Sequence, residues 1–128
     1  MSSSWAKPDI RIMKGDRHSP FEWIARDSLG AKVNFAVGDT VTFSMRAVNR
    51  TAVKVNAAAA TIVYTGGVST HADYGRLRYS QTANDVDEEG LYLGRFTVTF
   101  TADSKKESYP KNEVTDGCIL IQIDPALA

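Results

Sequence analysis

Nucleophilic catalysis needs an activatable side chain with a base in reach, and this sequence supplies few such parts. Its histidines are His18 and His71, and its one cysteine is Cys118. A thiol and two imidazoles match the parts list of a cysteine nucleophile and its base. Their settings argue otherwise. Each histidine sits in a polar, turn-like stretch that reads as a solvated loop. Cys118 opens an isoleucine run, which reads as packing rather than an electropositive cleft. One cysteine allows neither an intrachain disulfide nor a thiolate zinc site within the chain. No catalytic residue is assigned, and the protein is expected to be non-enzymatic.

The acidic run Asp85-Val86-Asp87-Glu88-Glu89-Gly90 is the strongest metal candidate. It has carboxylates at positions one, three and five of a calcium loop and glycine at six. Position twelve, where a bidentate Glu is required, is Phe96. The run therefore reads as a solvated acidic turn, and neither a metal nor a cofactor is expected. Arg76 and Arg78 share one face of a short strand, opposite Leu77 and Tyr79. Two arginines in a neutral chain are expected to pair with the acidic turn, within the chain or across a subunit interface, rather than to bind phosphate. Asn49-Arg50-Thr51 matches a glycosylation acceptor and reads as a turn. No phosphate loop, dinucleotide fingerprint or carboxylate pair at glycosidase spacing is found. Trp5, in a serine-rich arm, is the one residue assigned to partner binding, because tryptophan is an enriched interface anchor. The competing reading folds Trp5 back onto its own domain.

The elements that must position these groups are strands. Val41, Phe43, Met45 and Ala47 alternate with Thr40, Thr42, Ser44 and Arg46, the period of a half-buried strand. Phe21, Trp23 and Ala25 form one face of another. Tyr92, Phe96, Val98 and Phe100 oppose Arg95, Thr97 and Thr99, and Ile119, Ile121 and Ile123 close the series. Shorter runs lie at 10–13, 61–65 and 76–80, and 68–74 reads as a loop. Residues 52–60 contain four consecutive alanines, a helix signal. A strand is preferred there, because Val53 and Val55 precede them, Ile62, Val63 and Tyr64 follow, and no cap intervenes. Glycine- and aspartate-bearing turns punctuate the runs at intervals of roughly 8–12 residues, the spacing of an antiparallel sandwich or barrel.

A length of 128 residues fits one domain: a flexible arm over 1–8, a β-domain over 9–124 and a short tail over 125–128. Fifteen basic residues face fifteen acidic ones, which argues against a nucleic-acid-coating protein. No apolar run approaches the ~20 residues of a membrane helix, and the first residues lack a signal-peptide core. Synthesis in the cytoplasm and no membrane contact are expected.

The order of the motifs is more specific than any one of them. Lys14-Gly15-Asp16, Arg26-Asp27-Ser28-Leu29-Gly30 and the strand from Thr40 to Arg46 come first. Gly75-Arg76-Leu77-Arg78-Tyr79, the acidic turn with Gly90 and Tyr92, the aromatic strand to Phe100, Ser108-Tyr109-Pro110 and the closing isoleucine strand follow. From about Asp9 to Ile123 this layout resembles the N-terminal domain of tailed-phage baseplate upper proteins. That resemblance implies an all-β, immunoglobulin-like antiparallel β-sandwich of about 7–9 strands. It implies a virion structural protein without catalysis, made in the bacterial host cytoplasm and acting as an adaptor in the tail or baseplate. Its partners would be other virion proteins in a symmetric multi-copy assembly, with no nucleic acid and no membrane. The alternative places are the neck and the capsid surface, as a decoration protein. The alternative of another class is a carbohydrate-binding module, for which Tyr74 and Tyr109 are the loop aromatics.

Overall fold

The computed structural model describes residues 7–111 and 117–125. Within them the chain forms β1 (Ile10–Met13), β2 (Phe21–Ile24), β3 (Thr40–Ala47), β4 (Val53–Ile62), β5 (Arg76–Tyr79), β6 (Gly90–Thr99), β7 (Lys106–Tyr109) and β8 (Ile119–Asp124). Between β5 and β6 lies a single 3-10 turn, Ala83–Val86. The all-β class expected from the alternation is what the chain adopts. The alanine stretch is strand, as read: Ala58, Ala59 and Ala60 pair with Phe43, Thr42 and Val41 of β3. Those cross-strand contacts outweigh the helix preference of alanine. Strand β7 has no alternating pattern of its own and forms where the far half of β6 offers it a ladder, Phe96 opposite Tyr109 through Thr99 opposite Lys106.

The strand order is β1-β8-β6-β3-β4-β5-β2, with β7 also on β6. β4 is shared: it pairs with β3 from Val53 to Ala60 and, through Thr61 and Ile62, with β5. The ladder thereby curls until β2 and β5 face β3, and the sheet is nearly barrel-shaped, with no pairing between β2 and β1 or β7 among the described residues. The purely antiparallel expectation is corrected at one ladder. β1 runs parallel to β8, Ile10 opposite Ile121 through Met13 opposite Asp124, so the sheet is mixed. First and last strands meet here pointing the same way, and Arg11 seals the pairing with an ion pair to Asp124 at 2.8 Å.

The core follows the expected faces. Val41, Phe43, Met45, Tyr92, Phe96, Val98, Ile119, Ile121 and Ile123 are buried. Phe43 is its hub, with ring centroids 4.8 Å from Tyr79, 4.9 Å from Phe96 and 5.6 Å from Phe21. Gly94 makes room for it: a β-carbon there would lie 2.8 Å from Phe43 Cζ and 2.9 Å from Ile121 Cδ1.

Candidate functional site

The outer face of β2 and β5 carries the fold's densest charge pairing. Glu22 stands opposite Arg78 in register and diagonal to Arg76. Its carboxylate accepts from Arg78 Nε and, at 3.3 Å, from Arg76 Nη1, while Arg76 Nε also reaches Asp73 at 3.0 Å. The arginines thus pair with Glu22 and Asp73 and not with the acidic turn. Cross-strand neighbours on one face are the closest partners a strand arginine has.

The acidic turn disperses its carboxylates. Asp85 accepts from Tyr79 Oη at 2.5 Å and from the Thr82 N–H at 2.8 Å. Asp87 pairs with Lys54 at 2.6 Å, a bond that holds its carboxyl below the usual range, and Glu88 pairs with Arg50 at 2.8 Å. Burial, with the bond to Asp85, pushes the Tyr79 phenol upward. Among the described residues no three His, Cys, Asp or Glu side chains gather as a metal would require.

The nucleophile candidates lie in different settings. The His18 backbone N–H donates to Asp16 Oδ1 in the turn after β1. His71 stacks on Tyr64 with centroids 3.8 Å apart, and its Nδ1 accepts from the Asp73 N–H. Cys118 is half-buried, its Sγ 3.4 Å from Arg95 Nη2. Of the two aromatics considered for a sugar, Tyr109 is buried in β7 against Phe35, not in a loop, and burial pushes its phenol up to about 12. Tyr74 is half-buried in the loop before β5. Trp5 and most of the arm lie outside the described residues.

A hollow of about 500 Å³ opens beside β2. It touches Glu22, Trp23, Ile24, Arg26 and Arg76 and, after β7, Pro110 and Lys111. Consecutive strand residues point to opposite faces, so the hollow borders the charged outer face of β2 and β5 and reaches Trp23 at the side of β2. Trp23, which the alternation assigns to the core face, is only half-buried because it borders this opening. The signal in the sequence was a tryptophan on a strand of four residues, too short to bury it on both sides.

No family model matches the chain, and no curated protein or solved structure matches it either.

Proposed function

We propose that the protein is a non-enzymatic structural component of a tailed-phage virion, an adaptor in the tail or baseplate, built on an immunoglobulin-like β-sandwich. The phage assignment rests on the motif order set out above. Two further features support the sandwich reading. One layer would be β1-β8-β6-β3 and the other β4-β5-β2, with β4 crossing between them. Tyr92, near the start of β6, is buried and its hydroxyl donates to the Glu88 carbonyl at 2.8 Å, four residues upstream. This bond resembles the tyrosine corner of immunoglobulin-like domains and supports the sandwich reading. Two residues later stands Gly94, against which the Phe43 ring packs.

The observation that carries the adaptor reading is the outer edge of β2, which no strand pairs among the described residues, beside a mainly apolar hollow. Unpaired backbone along a sheet edge is a surface for strand addition and subunit contact, not for covalent chemistry. The same surface would serve at the neck or capsid. The carbohydrate-binding alternative is weakened by the burial of Tyr109.

The test is quantitative mass spectrometry of purified particles, with electron microscopy of particles from a host in which the gene is silenced. The adaptor reading expects a fixed multiple of copies per particle, and heads without complete tails when the protein is lacking. Its absence from particles would overturn the reading, and intact tails with altered heads would move the protein to the neck or capsid.

A further inference from the structure

The exposed apolar side chains of this fold sit at its two ends, and the ends differ in charge. We infer that copies of this chain associate end to end. The Leu29 turn of one copy is seated in the hollow between the β3–β4 turn and the acidic turn of the next, with Lys32 of the first facing Glu89 of the second. The contact is a property of the purified chain and goes beyond the adaptor reading, which does not depend on it.

Strand pairing defines the ends. Thr40 lies opposite Thr99, Val41 opposite Ala60, Ile62 opposite Leu77 and Ile24 opposite Arg76. The connections 25–39, 63–75 and 100–105 therefore emerge at one end, and 14–20, 48–52 and 80–89 at the other. Leu29, Val37 and Val68 stand exposed on connections of the first end. Met13, Val53 and Leu91 stand exposed at or beside strand termini of the second. No other large apolar side chain among the described residues is left exposed. Apolar surface gathered at two opposite ends is the surface that stacking would cover.

The inserting tip is preorganised. Asp27 Oδ1 accepts from the Leu29 and Ala31 N–H groups at 2.9 and 3.0 Å. The Gly30 N–H donates to the Asp27 carbonyl at 3.0 Å, and Arg26 Nη1 donates to the Gly30 carbonyl at 3.0 Å. Gly30 closes the turn at φ +88°, where a side chain would be strained. These bonds hold out a leucine that is 92% exposed. An anchor already held in place loses little conformational freedom on docking. The same bonds consume the Asp27 carboxylate. Lys32, bridged to Arg26 across the hairpin, has no ionic or hydrogen-bonding side-chain partner among the described residues.

The receiving end matches the tip in size and charge. Its hollow of about 350 Å³ has Val48 and Leu91 as apolar lining, with Asn49, Arg50, Glu88 and Glu89 around them. That volume lies at the small end of the range of about 300–1,000 Å³ that encloses bound groups, and one leucine side chain fits within it. The Val48 N–H donates to the Leu91 carbonyl at 3.0 Å, which ties the two sides of the hollow together. Arg50 is taken by Glu88 at 2.8 Å, whereas Glu89 is exposed and unpaired among the described residues. An unpaired carboxylate at the hollow thus answers an unpaired lysine beside the tip. Because tip and hollow are different surfaces, the contact is heterologous, and each copy offers a tip to one neighbour and a hollow to another.

Sedimentation velocity on the purified full chain tests this. The chain should self-associate as its concentration rises, and less so as salt goes from about 0.05 M to about 0.5 M. Leu29→Asp removes the anchor, and Asn49→Trp fills the hollow. Each should raise the dissociation constant about tenfold or more, with an unchanged circular dichroism spectrum showing that the variant folds. Mixed in equal amounts, the two variants should form a heterodimer and stop there, since one keeps a hollow and the other a tip. Lys32→Glu and Glu89→Lys should each weaken association, and the double variant should restore it. A chain that stays monomeric up to about millimolar concentration, a Leu29→Asp variant that associates as before, or a mixture that yields no heterodimer would overturn the inference. Particle composition has no part in this readout. A chain that stacks but is missing from virions would sink the proposed function alone, and a monomeric chain found in particles would sink this inference alone.

Discussion

From Val53 to Ala60, before it reaches β5, β4 is paired by β3 alone among the described residues; this stretch ends in small residues, the alanines 57–60, and is bent. Between the Phe43–Ala58 and Met45–Val55 pairs the register slips, Ala57 adopts φ +49°, and its N–H turns inward to Ser44 Oγ at 2.9 Å. Lys54, on the same strand, is tied to Asp87. At β2 the sheet ends in large residues on a regular ladder, Phe21 opposite Tyr79 through Ile24 opposite Arg76 with no slip. Bulges and lysines make an edge a poor template for pairing, whereas a flat, regular edge invites it. The β4 edge is thus blunted by its own backbone, while the β2 ladder stays regular to its outer edge. The difference teaches that one curled sheet can blunt one edge and keep the other regular.

The largest effect should fall on what both edges share. Phe43 belongs to β3, beside the bulge, and touches Phe21 of β2 and Tyr79 of β5. Phe43→Ala should cost about 3–5 kcal/mol, from lost burial and the cavity left behind, in a single urea transition. Thr42→Ala, on the opposite face, should stay within about 0.5 kcal/mol. Two separate transitions in the Phe43 variant would mean that the edges are held independently.

On the β2 side alone, Tyr79→Phe strips Asp85 of a buried donor while leaving the Thr82 N–H, and should cost about 1–3 kcal/mol. The fold should also be sensitive to alkali, through Tyr79 opposite β2 and Tyr109 of β7. The phenols of Tyr79 and Tyr109 titrate above the ordinary value of 10 in the fold, Tyr109 at about 12, chiefly through burial. The folded state then holds protons that the unfolded chain has lost. Stability is full below pH 10 and falls as pH rises toward 12 and beyond. Thermal unfolding across this range should show the fall, and Tyr109→Phe should lessen it. An unchanged midpoint at pH 11 would contradict the burial of both rings.

Smaller still is the charge ladder outside β2. Glu22→Gln weakens two half-exposed ion pairs and should cost no more than about 1 kcal/mol, with the difference shrinking in high salt. A loss several times larger would make the ladder, rather than the core, the fastening of β2. Opposite in sign is Ala57→Gly. Relief of the left-handed conformation, about 1–2 kcal/mol, is offset by glycine's extra freedom, about 0.5–1, so a gain of about 0–1.5 kcal/mol is expected. Marked destabilisation, measured by urea unfolding, would show that the alanine side chain and not the bulge shapes this edge.

Much of the fold was legible in single strands. Alternation over Thr40–Ala47 and Gly90–Thr99 decided which side chains face inward, because a period of two is a property of one segment and survives whatever that segment pairs with. It also tied Phe21 to the core. The site was legible only in parts. Trp23 was visible as an apolar residue, but its half-exposure depends on Pro110, far along the chain. Arg76 and Arg78 were visible as one charged face, yet their partner Glu22 is set by the β2–β5 register. Strand β7, the parallel β1–β8 ladder and the burial of Tyr109 had no local signature. Each depends on contact between distant segments, as Arg11 with Asp124 shows, and no period within one segment encodes it. The local pattern fixed the faces of the strands; contact between distant segments fixed how the strands are arranged.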